Sequence, residues 1–477
     1  MRAVLLLLAA LVLAPQARAE TVGSKAFTES VILGEIAKAA LIRAGIRTTH
    51  RRELGGSRIL FDAVKAQRID AYPDYTGTLR FELLSAQHLP NDAALGPALA
   101  AQGLALSKPL GFSDSYAIAM RAEKAQALGI RTVSDLARHP ELTLGFSNEF
   151  IDRKDGWPAL AAAYGLSALH PRGIDHDLAY RALTAGQIDL TDAYTTDAEI
   201  AAYNLVVLED DRHFFPRYDA VFVIRADLSP QARAVLNSLA GTIDEAKMRA
   251  LNRMVRLDKH SEAEAAQVAL GGNAVASVEP TRWQRIADRT IEHLALVAAA
   301  LAAALLVALP LGILAARRRR VGSAVLAVAG VVQTIPSLAL FVVLIPLLGI
   351  GASPTVFALF LYSLLPIVRN THAGLTGIAP ALLDSADALG LTRAARLRRI
   401  ELPLALPTIL AGVRTAAVIA VGLATLGAVI GAGGYGQPIL TGIRLNSTPL
   451  ILEGAIPAAL LALAIEGLFG LVERWAR

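Results

Sequence analysis

Two long stretches without a charge decide what this chain can fold into. Leu294 to Ala316 contains no Asp, Glu, Lys or Arg and stops at Arg317-Arg318-Arg319-Arg320; Val321 to Val368 contains none either and stops at Arg369. A helix of about 20 apolar residues crosses the hydrocarbon core of a bilayer. The first stretch therefore predicts one membrane span. The second is too long for one crossing, and "GIGASP" (349–354), rich in helix breakers, divides it in two. Pro407 to Gly431, interrupted only by Arg414, supplies a fourth span, and Leu450 to Val472 a fifth. The spans are expected over 291–316, 321–348, 353–369, 405–431 and 450–472, with Trp283 and Trp475 as interfacial anchors at the two edges of the block.

Basic residues flanking spans favour the cytoplasm. If the first span runs inward to Arg317–Arg320, the third ends inside at Arg369, the basic stretch Arg393–Arg399 is inside, and the fifth ends inside at "ERWAR". Every basic cluster then falls on one side. Pro336, Pro346, Pro366, Gly422 and Gly427 read as kinks and close helix contacts. Arg414 and Glu466 lie within spans, where a charge needs a partner or a water-filled path.

The rest of the chain is different. Of 477 residues 54% are apolar, yet from about 20 to 290 charges recur every few positions, so at least two domains are expected. Met1-Arg2, an apolar block Ala3 to Ala14 and Ala17-Arg18-Ala19 form the pattern of a secretory signal over 1–19; an uncleaved anchor helix is the alternative, and in both cases the segment from residue 20 onward is exported. Cysteine is absent, which excludes disulfides and thiolate metal sites. The net charge of +5 sits largely beside the apolar spans, so it argues membrane topology and not nucleic acid. The nine histidines show no H-E-x-x-H spacing, and no G-x-S-x-G elbow occurs, which speaks against a membrane hydrolase.

Between 20 and about 275, strand-like runs alternate with helical ones, the mark of an α/β architecture. Two stretches resemble each other: "LFDAVKAQRIDAYPDYTG" and "AYRALTAGQIDLTDAYTTD". Each reads helix then strand, and each strand ends with a tyrosine and an acid at a loop. Ligands of such sheets bind beyond strand ends, so Tyr75 and Tyr194 are placed for a cleft. Tyr72, before Pro73, reads as packing.

The loop between spans three and four, "DSADALGLTRAARLRRIELPLALP" (384–407), has an amphipathic middle. Gly390 is read as its break, and Pro403 as its end, with the next helix starting beyond. Asp384-Ser385-Ala386, three residues, Gly390, nine residues, Ile400, one residue, Leu402-Pro403 resembles the signature loop of ABC importer permeases, Glu-Ala-Ala-x3-Gly-x9-Ile-x-Leu-Pro, departing at its first two positions. The resemblance implies a coupling segment over 384–403 that docks on an ATPase subunit. No Gly-Lys dipeptide occurs, so a Walker A loop is missing; ATP and Mg belong to a separate ATPase polypeptide, and no cofactor is expected on this chain.

"GSKAFTES", "GGSRILFDAVKAQRIDAYPDYTGT", "EFIDRKDGWP", "AGQIDLTDAYTTD" and "EDDRHFFPRYDA" are similar to blocks of the substrate-binding proteins of the glycine betaine, carnitine and choline uptake family. The resemblance implies a two-lobed periplasmic-binding-protein fold of type II kind over 20–275, with lobe 1 about 20–120 and 209–275 and lobe 2 about 121–208. An all-α ABC importer transmembrane domain comes next over 285–477 after a linker, 276–284, that contains Pro280 and follows Gly271-Gly272. A quaternary ammonium has no hydrogen to donate, so hydrogen bonds cannot select it, whereas aromatic faces attract it by about 2 kcal/mol when desolvated. The resemblance assigns Tyr75, Tyr116, Tyr194 and Tyr218 to such a cage, Asp114 and Glu149 to added negative charge beside it, and Lys25, Thr78 and Arg153 to a ligand carboxylate. Lys25 as a solvated loop residue, Asp114 as a turn cap and Arg172 in place of Arg153 stay open as alternatives. The expected protein is a fused importer subunit in the cytoplasmic membrane with its N-terminal domain outside. Its permease domain is expected to pair as a homodimer, and a membrane-tethered quaternary-amine sensor is the competing reading.

Overall fold

The computed structural model describes residues 19–153, 155–272, 281–445 and 447–475. Most of the expected signal (1–18) and most of the linker (273–280) lie outside the described residues. Two compact units divide near residue 277.

The first unit holds two lobes. Lobe 1 is a five-stranded sheet in the order β2-β1-β3-β10-β4, with β1 Glu20–Gly23, β2 Thr48–Arg51, β3 Ala71–Tyr75, β4 Leu104–Leu106 and β10 Ala220–Arg225. β1 runs parallel to β2 and β3, and β10 antiparallel to β3 and β4. Every residue of β3 is buried. Its Pro73 lacks a backbone donor and would break a ladder on both sides, but β1 reaches only as far as Ala71, so past that point β3 pairs on the β10 side alone. Helices α1 (Thr28–Arg43) and α2 (Ser57–Lys65) accompany this sheet.

Lobe 2 contains a three-stranded sheet, β8-β5-β9, and a parallel pair, β6-β7. Here β5 is Tyr116–Arg121, β6 Gly145–Ser147, β7 Arg172–Ile174, β8 Leu190–Tyr194 and β9 Leu205–Val207; helices α3 (His176–Thr184) and α4 (Glu199–Ala202) flank them. The reading from sequence left 116–120 in lobe 1, whereas β5 pairs antiparallel with β8 from Tyr116↔Tyr194 to Met120↔Leu190. An apolar run such as "YAIAM" fits either sheet, and only its partner decides. The chain crosses between lobes at Ser113 and Asp219, which bridge one another. From β10 onward the chain stays in lobe 1, where helix α5 (Glu245–Arg256) packs on α1.

The second unit is helical. Helix α6 runs Arg282–Arg317, α7 Arg319–Thr334, α8 Ser337–Leu348, α9 Ala352–Thr376, α10 Pro380–Ala388, α11 Leu402–Ala424 and α12 Thr448–Trp475. Among the described residues, four helices are individually long and apolar enough to cross a membrane, and α7 with α8 passes the same test as one bent pair. The expected span over 321–348 is thus two helices that meet at an angle of 98°, next to Pro336, which reads as a kink in the sequence. Ile335 is extended (φ −69°, ψ 126°), as the residue before a proline prefers. "GIGASP" breaks the next pair as expected, with Gly349 and Gly351 at φ +78° and +92°. Close helix packing rests on small residues: a Cβ on Gly312 of α6 would meet Thr371 Cβ of α9 at 2.5 Å, a contact only glycine permits. Arg414 has acidic partners, Glu466 at 3.5 Å and Glu473 at 3.4 Å.

The 384–403 segment differs from expectation at its end. Asp384 and buried Ala386 lie in α10, and Gly390 (φ +73°) makes the break. From Arg393, however, the chain is helical without interruption to Ile430, so Pro403 does not end the segment and the fourth span does not begin beyond it. Pro403 sits in the first turn of α11, directly after a π-helical turn over Leu397–Glu401 that contains Ile400. A proline is tolerated in a first turn, and the wider turn before it leaves room for the ring. Arg396 ties the two halves together, bonding Asp387 at 2.6 Å and Glu401 at 2.8 Å.

Candidate functional site

The site is built where strands of both lobes end. Lys25 follows β1, Phe27 precedes the first turn of α1, Tyr75 ends β3 and Thr78 follows it. Asp114 lies on the first crossover, Tyr116 opens β5, Glu149 and Arg153 belong to the turn after β6, Tyr194 ends β8, and Tyr218 precedes β10. Positions spread from 25 to 218 thus line one cavity. All nine residues singled out from sequence are there, and Phe27 is the tenth. Arg172 lies on β7 and is not among the lining residues. Tyr72 is fully buried elsewhere in the core.

The rings form a connected wall. Tyr116 lies 5.2 Å from Tyr194 and 5.7 Å, edge to face, from Tyr218. Phe27 lies 5.6 Å from Tyr194 and 6.4 Å from Tyr75. Phe150, at 4.9 Å, and Phe215, at 6.4 Å, back Tyr116. Hydroxyl anchors fix ring orientation: Tyr75 donates to Glu29 Oε1 at 2.6 Å and Tyr218 to Asp155 Oδ2 at 2.7 Å. Burial pushes all four tyrosine hydroxyls up, so the rings stay neutral and keep the negative faces that attract a cation. Two of the chain's own cations already use those faces. The Lys25 ammonium is 5.1 Å from the Tyr75 centroid, and the Arg153 guanidinium 5.4 Å from that of Tyr116.

The charged groups are less available than sequence suggests. Lys25 is buried and paired with Asp74 at 2.6 Å, so it is no solvated loop residue. Arg153 presents its fork to Asp155, Nε to Oδ1 at 2.8 Å and Nη2 to Oδ2 at 2.6 Å, leaving Nη1 to reach Thr78 Oγ1 at 3.4 Å. Glu149 accepts from the Ser57 hydroxyl at 3.2 Å.

Asp114 does not stand alone beside the cage. The Thr196 hydroxyl lies 2.7 Å from Asp114 Oδ1 and 2.5 Å from Glu29 Oε2. One hydroxyl hydrogen serves one of these contacts, so the other needs a protonated carboxyl. Glu29 also accepts from Tyr75 and from Asn252; burial pushes both carboxyls up, and Asp114, which neighbouring Glu29 and Asp197 push further, stands well above the usual carboxylate range. The two acids therefore share a proton around the Thr196 hydroxyl.

Sequence reasoning missed several supporting groups. Asp197 accepts from the Tyr194 amide at 2.8 Å, from Tyr180 at 2.6 Å and from His176 at 3.1 Å, and the His176 ring lies 4.5 Å from Tyr194. Phe27, Glu29, Asp155 and Asp197 all fall inside the short blocks that drew attention to their neighbours; His176 lies in none of them.

Comparison with known proteins adds an independent line. A family described as the substrate-binding domain of ABC-type glycine betaine transport systems matches residues 21–270, and one described as the inner membrane component of binding-protein-dependent transport systems matches 308–477. A glycine betaine/carnitine/choline transport system permease protein of Bacillus subtilis is 50% identical over 172 residues, covering 36% of this chain and 75% of that protein. A choline transport system permease protein of the same organism is 41% identical over 186 residues, covering 39% and 86%. An osmoprotectant import permease protein of Salmonella typhimurium is 44% identical over 188 residues, covering 38% and 87%.

Proposed function

This chain belongs to the ABC-type glycine betaine transport family, with the substrate-binding domain and the inner-membrane permease component in one polypeptide, and from that premise we propose that it captures a quaternary ammonium compound in the tyrosine cage and passes it through its own permease domain. It is a transporter subunit of the inner membrane, importing glycine betaine, choline, carnitine or a close relative, with the ATPase on a partner subunit that binds ATP and Mg. The observation that carries the ligand reading is the one buried cavity shared by Tyr75, Tyr116, Tyr194, Tyr218 and Phe27. A quaternary ammonium is poorly hydrated and offers no N–H, so a desolvated aromatic wall is the chemistry that selects it. Arg153 Nη1, the Thr78 hydroxyl and the Lys25 ammonium are the groups within the cavity able to meet the other end of the ligand.

In this reading the binding domain faces outward after export by the 1–19 segment, two copies of the permease domain pair as a homodimer, and the 384–403 segment with Asp384, Ala386, Gly390, Ile400, Leu402 and Pro403 meets the ATPase. Tethering keeps the binding domain at an effective concentration of about millimolar near its gate. Continuous helix through Pro403 supports a stiff coupling arm, which a sensor with a cytoplasmic output domain would not require.

The test is calorimetric titration of the full chain in nanodiscs with glycine betaine, choline and carnitine. Saturable heat with at least one is expected, and Tyr116→Ala should abolish it while the protein stays folded. No heat with any of the three from folded protein overturns the ligand reading.

A further inference from the structure

Behind the cage lies a second cavity that shares Phe27, Asp114 and Tyr194 with it and whose remaining walls come from both lobes. Contacts across the lobe seam concentrate here. Asn252, on α5 of lobe 1, donates from Nδ2 to Glu29 Oε2 at 2.8 Å within its own lobe and to the Thr196 carbonyl of lobe 2 at 3.0 Å. One turn further along α5, Arg256 Nε donates to Glu199 Oε1 of lobe 2 at 2.5 Å. Asn252 is 4% exposed and Glu199 3%, so these bonds are shielded from water. None of the three side chains lines the tyrosine cage.

We propose that Asn252, Arg256 and Glu199 form a clasp that holds lobe 2 shut behind the ligand, setting how long the ligand stays without touching it. The inference rests on the tyrosine cage being the ligand site. A buried ion pair contributes little over two solvated charges, but removing one partner leaves the other buried and uncompensated. With Arg256 gone, closing the lobes would bury Glu199 without the guanidinium that bonds it across the seam, a cost that falls on the closed state alone. Asn252 acts the same way through a neutral group: without it the Thr196 carbonyl loses its donor only when the seam is shut. Both therefore bias closure and not the first encounter with ligand, which occurs while the lobes are apart.

The experiment uses the full chain in nanodiscs with choline and glycine betaine as probes, and stopped-flow measurement of association and dissociation. Asn252→Ala and Arg256→Ala are each expected to speed dissociation about 5- to 150-fold with the association rate unchanged. Arg256→Lys, which keeps the charge, should recover part of the residence time. Glu199→Ala with Arg256→Ala should dissociate more slowly than the product of the two single effects requires, because the bond between them is lost only once. Unchanged dissociation, slowed association with unchanged dissociation, or fully multiplicative effects would each overturn the clasp.

A ligand-free readout separates this from failure of the cage reading. The chain lacks cysteine, so spin labels can be placed singly at Ala101→Cys in lobe 1 and Ala127→Cys in lobe 2. The clasp variants should shift the distance distribution toward larger separation even without ligand. If the unaltered protein binds neither probe, the cage reading fails and the clasp is judged on these distances; an unshifted distribution overturns it.

Discussion

Strands β3 and β8 end in tyrosines that face one cavity, and the sequences leading into them look alike, yet each lobe holds its tyrosine differently. In lobe 1, β3 is buried at every position, lies between β1 and β10, and puts Asp74 against Lys25. Tyr75 is then fixed through its hydroxyl, on Glu29. In lobe 2, β8 is the outer strand of its three-stranded sheet, and its Asp192 accepts from the amide and hydroxyl of Ser147, both at 2.6 Å. Tyr194 is fixed from behind, its amide on Asp197 and its ring against His176. Lobe 1 thus invests in one tight lysine–aspartate pair, lobe 2 in Ser147 donors around Asp192, in His176 beside Asp197 and in ring contact. One sequence pattern specifies where a tyrosine goes and leaves open what holds it there.

The largest expected effect breaks the comparison at its charged end. Asp74→Asn leaves Lys25 without its anion in a dry site, a loss of about 3–5 kcal/mol. Asp192→Asn keeps the volume and one acceptor for the two Ser147 donors, a loss of about 1–3 kcal/mol. Hydrogen exchange over 71–75 and 190–194, measured by mass spectrometry on the full chain, reads each locally. Equal losses would mean that the two strands are anchored alike.

The next effect tests the tyrosines themselves. Tyr75→Phe removes the hydroxyl from a buried Glu29 oxygen, a loss of about 1.5–3 kcal/mol in protection around β3, as for a hydrogen bond to a charged group. His176→Ala removes the ring behind Tyr194, a loss of about 0.5–1.5 kcal/mol around β8. The reverse order would show that the ring contact, and not the hydroxyl, is the stronger anchor.

Legibility in the sequence divides along the same line. The helix-then-strand units over 57–75 and 176–194 were readable because apolar spacing and turn residues are local properties, and the positions of Tyr75 and Tyr194 came with them. The spans were readable from uncharged length, but the 98° bend at Ile335-Pro336 was not, because a proline marks a weak point in a helix without fixing its angle. That β5 joins lobe 2 depends on pairing with a strand some seventy residues later, which periodicity does not encode. The coupling of Asp114 with Glu29 was invisible for a similar reason: it depends on Glu29 and Thr196 converging on it from distant parts of the chain. Arg153 was placed in the cavity correctly, but its fork was claimed by Asp155 two residues on, a pairing that the spacing permits without requiring.

The smallest effect sharpens the contrast through pH. Burial alone would lower the His176 imidazole, but Asp197 and Asp192 more than reverse this and hold it well above its ordinary value of 6.5. The folded protein therefore binds this proton more tightly than the unfolded chain, so its contribution to stability is complete below about pH 6.5 and is lost as pH rises through the folded value. Exchange protection over 190–197, corrected for the intrinsic rate, should fall across that window. His176→Phe keeps a ring against Tyr194 and carries no proton, so the fall should vanish while most of the ring contact remains. A fall that persists in His176→Phe would assign the pH dependence to another group, such as Asp114, whose raised value gives the same sign. A flat profile in the unaltered protein would show that His176 braces Tyr194 by contact alone, and the two lobes would then differ only in the buried pair of Lys25 and Asp74.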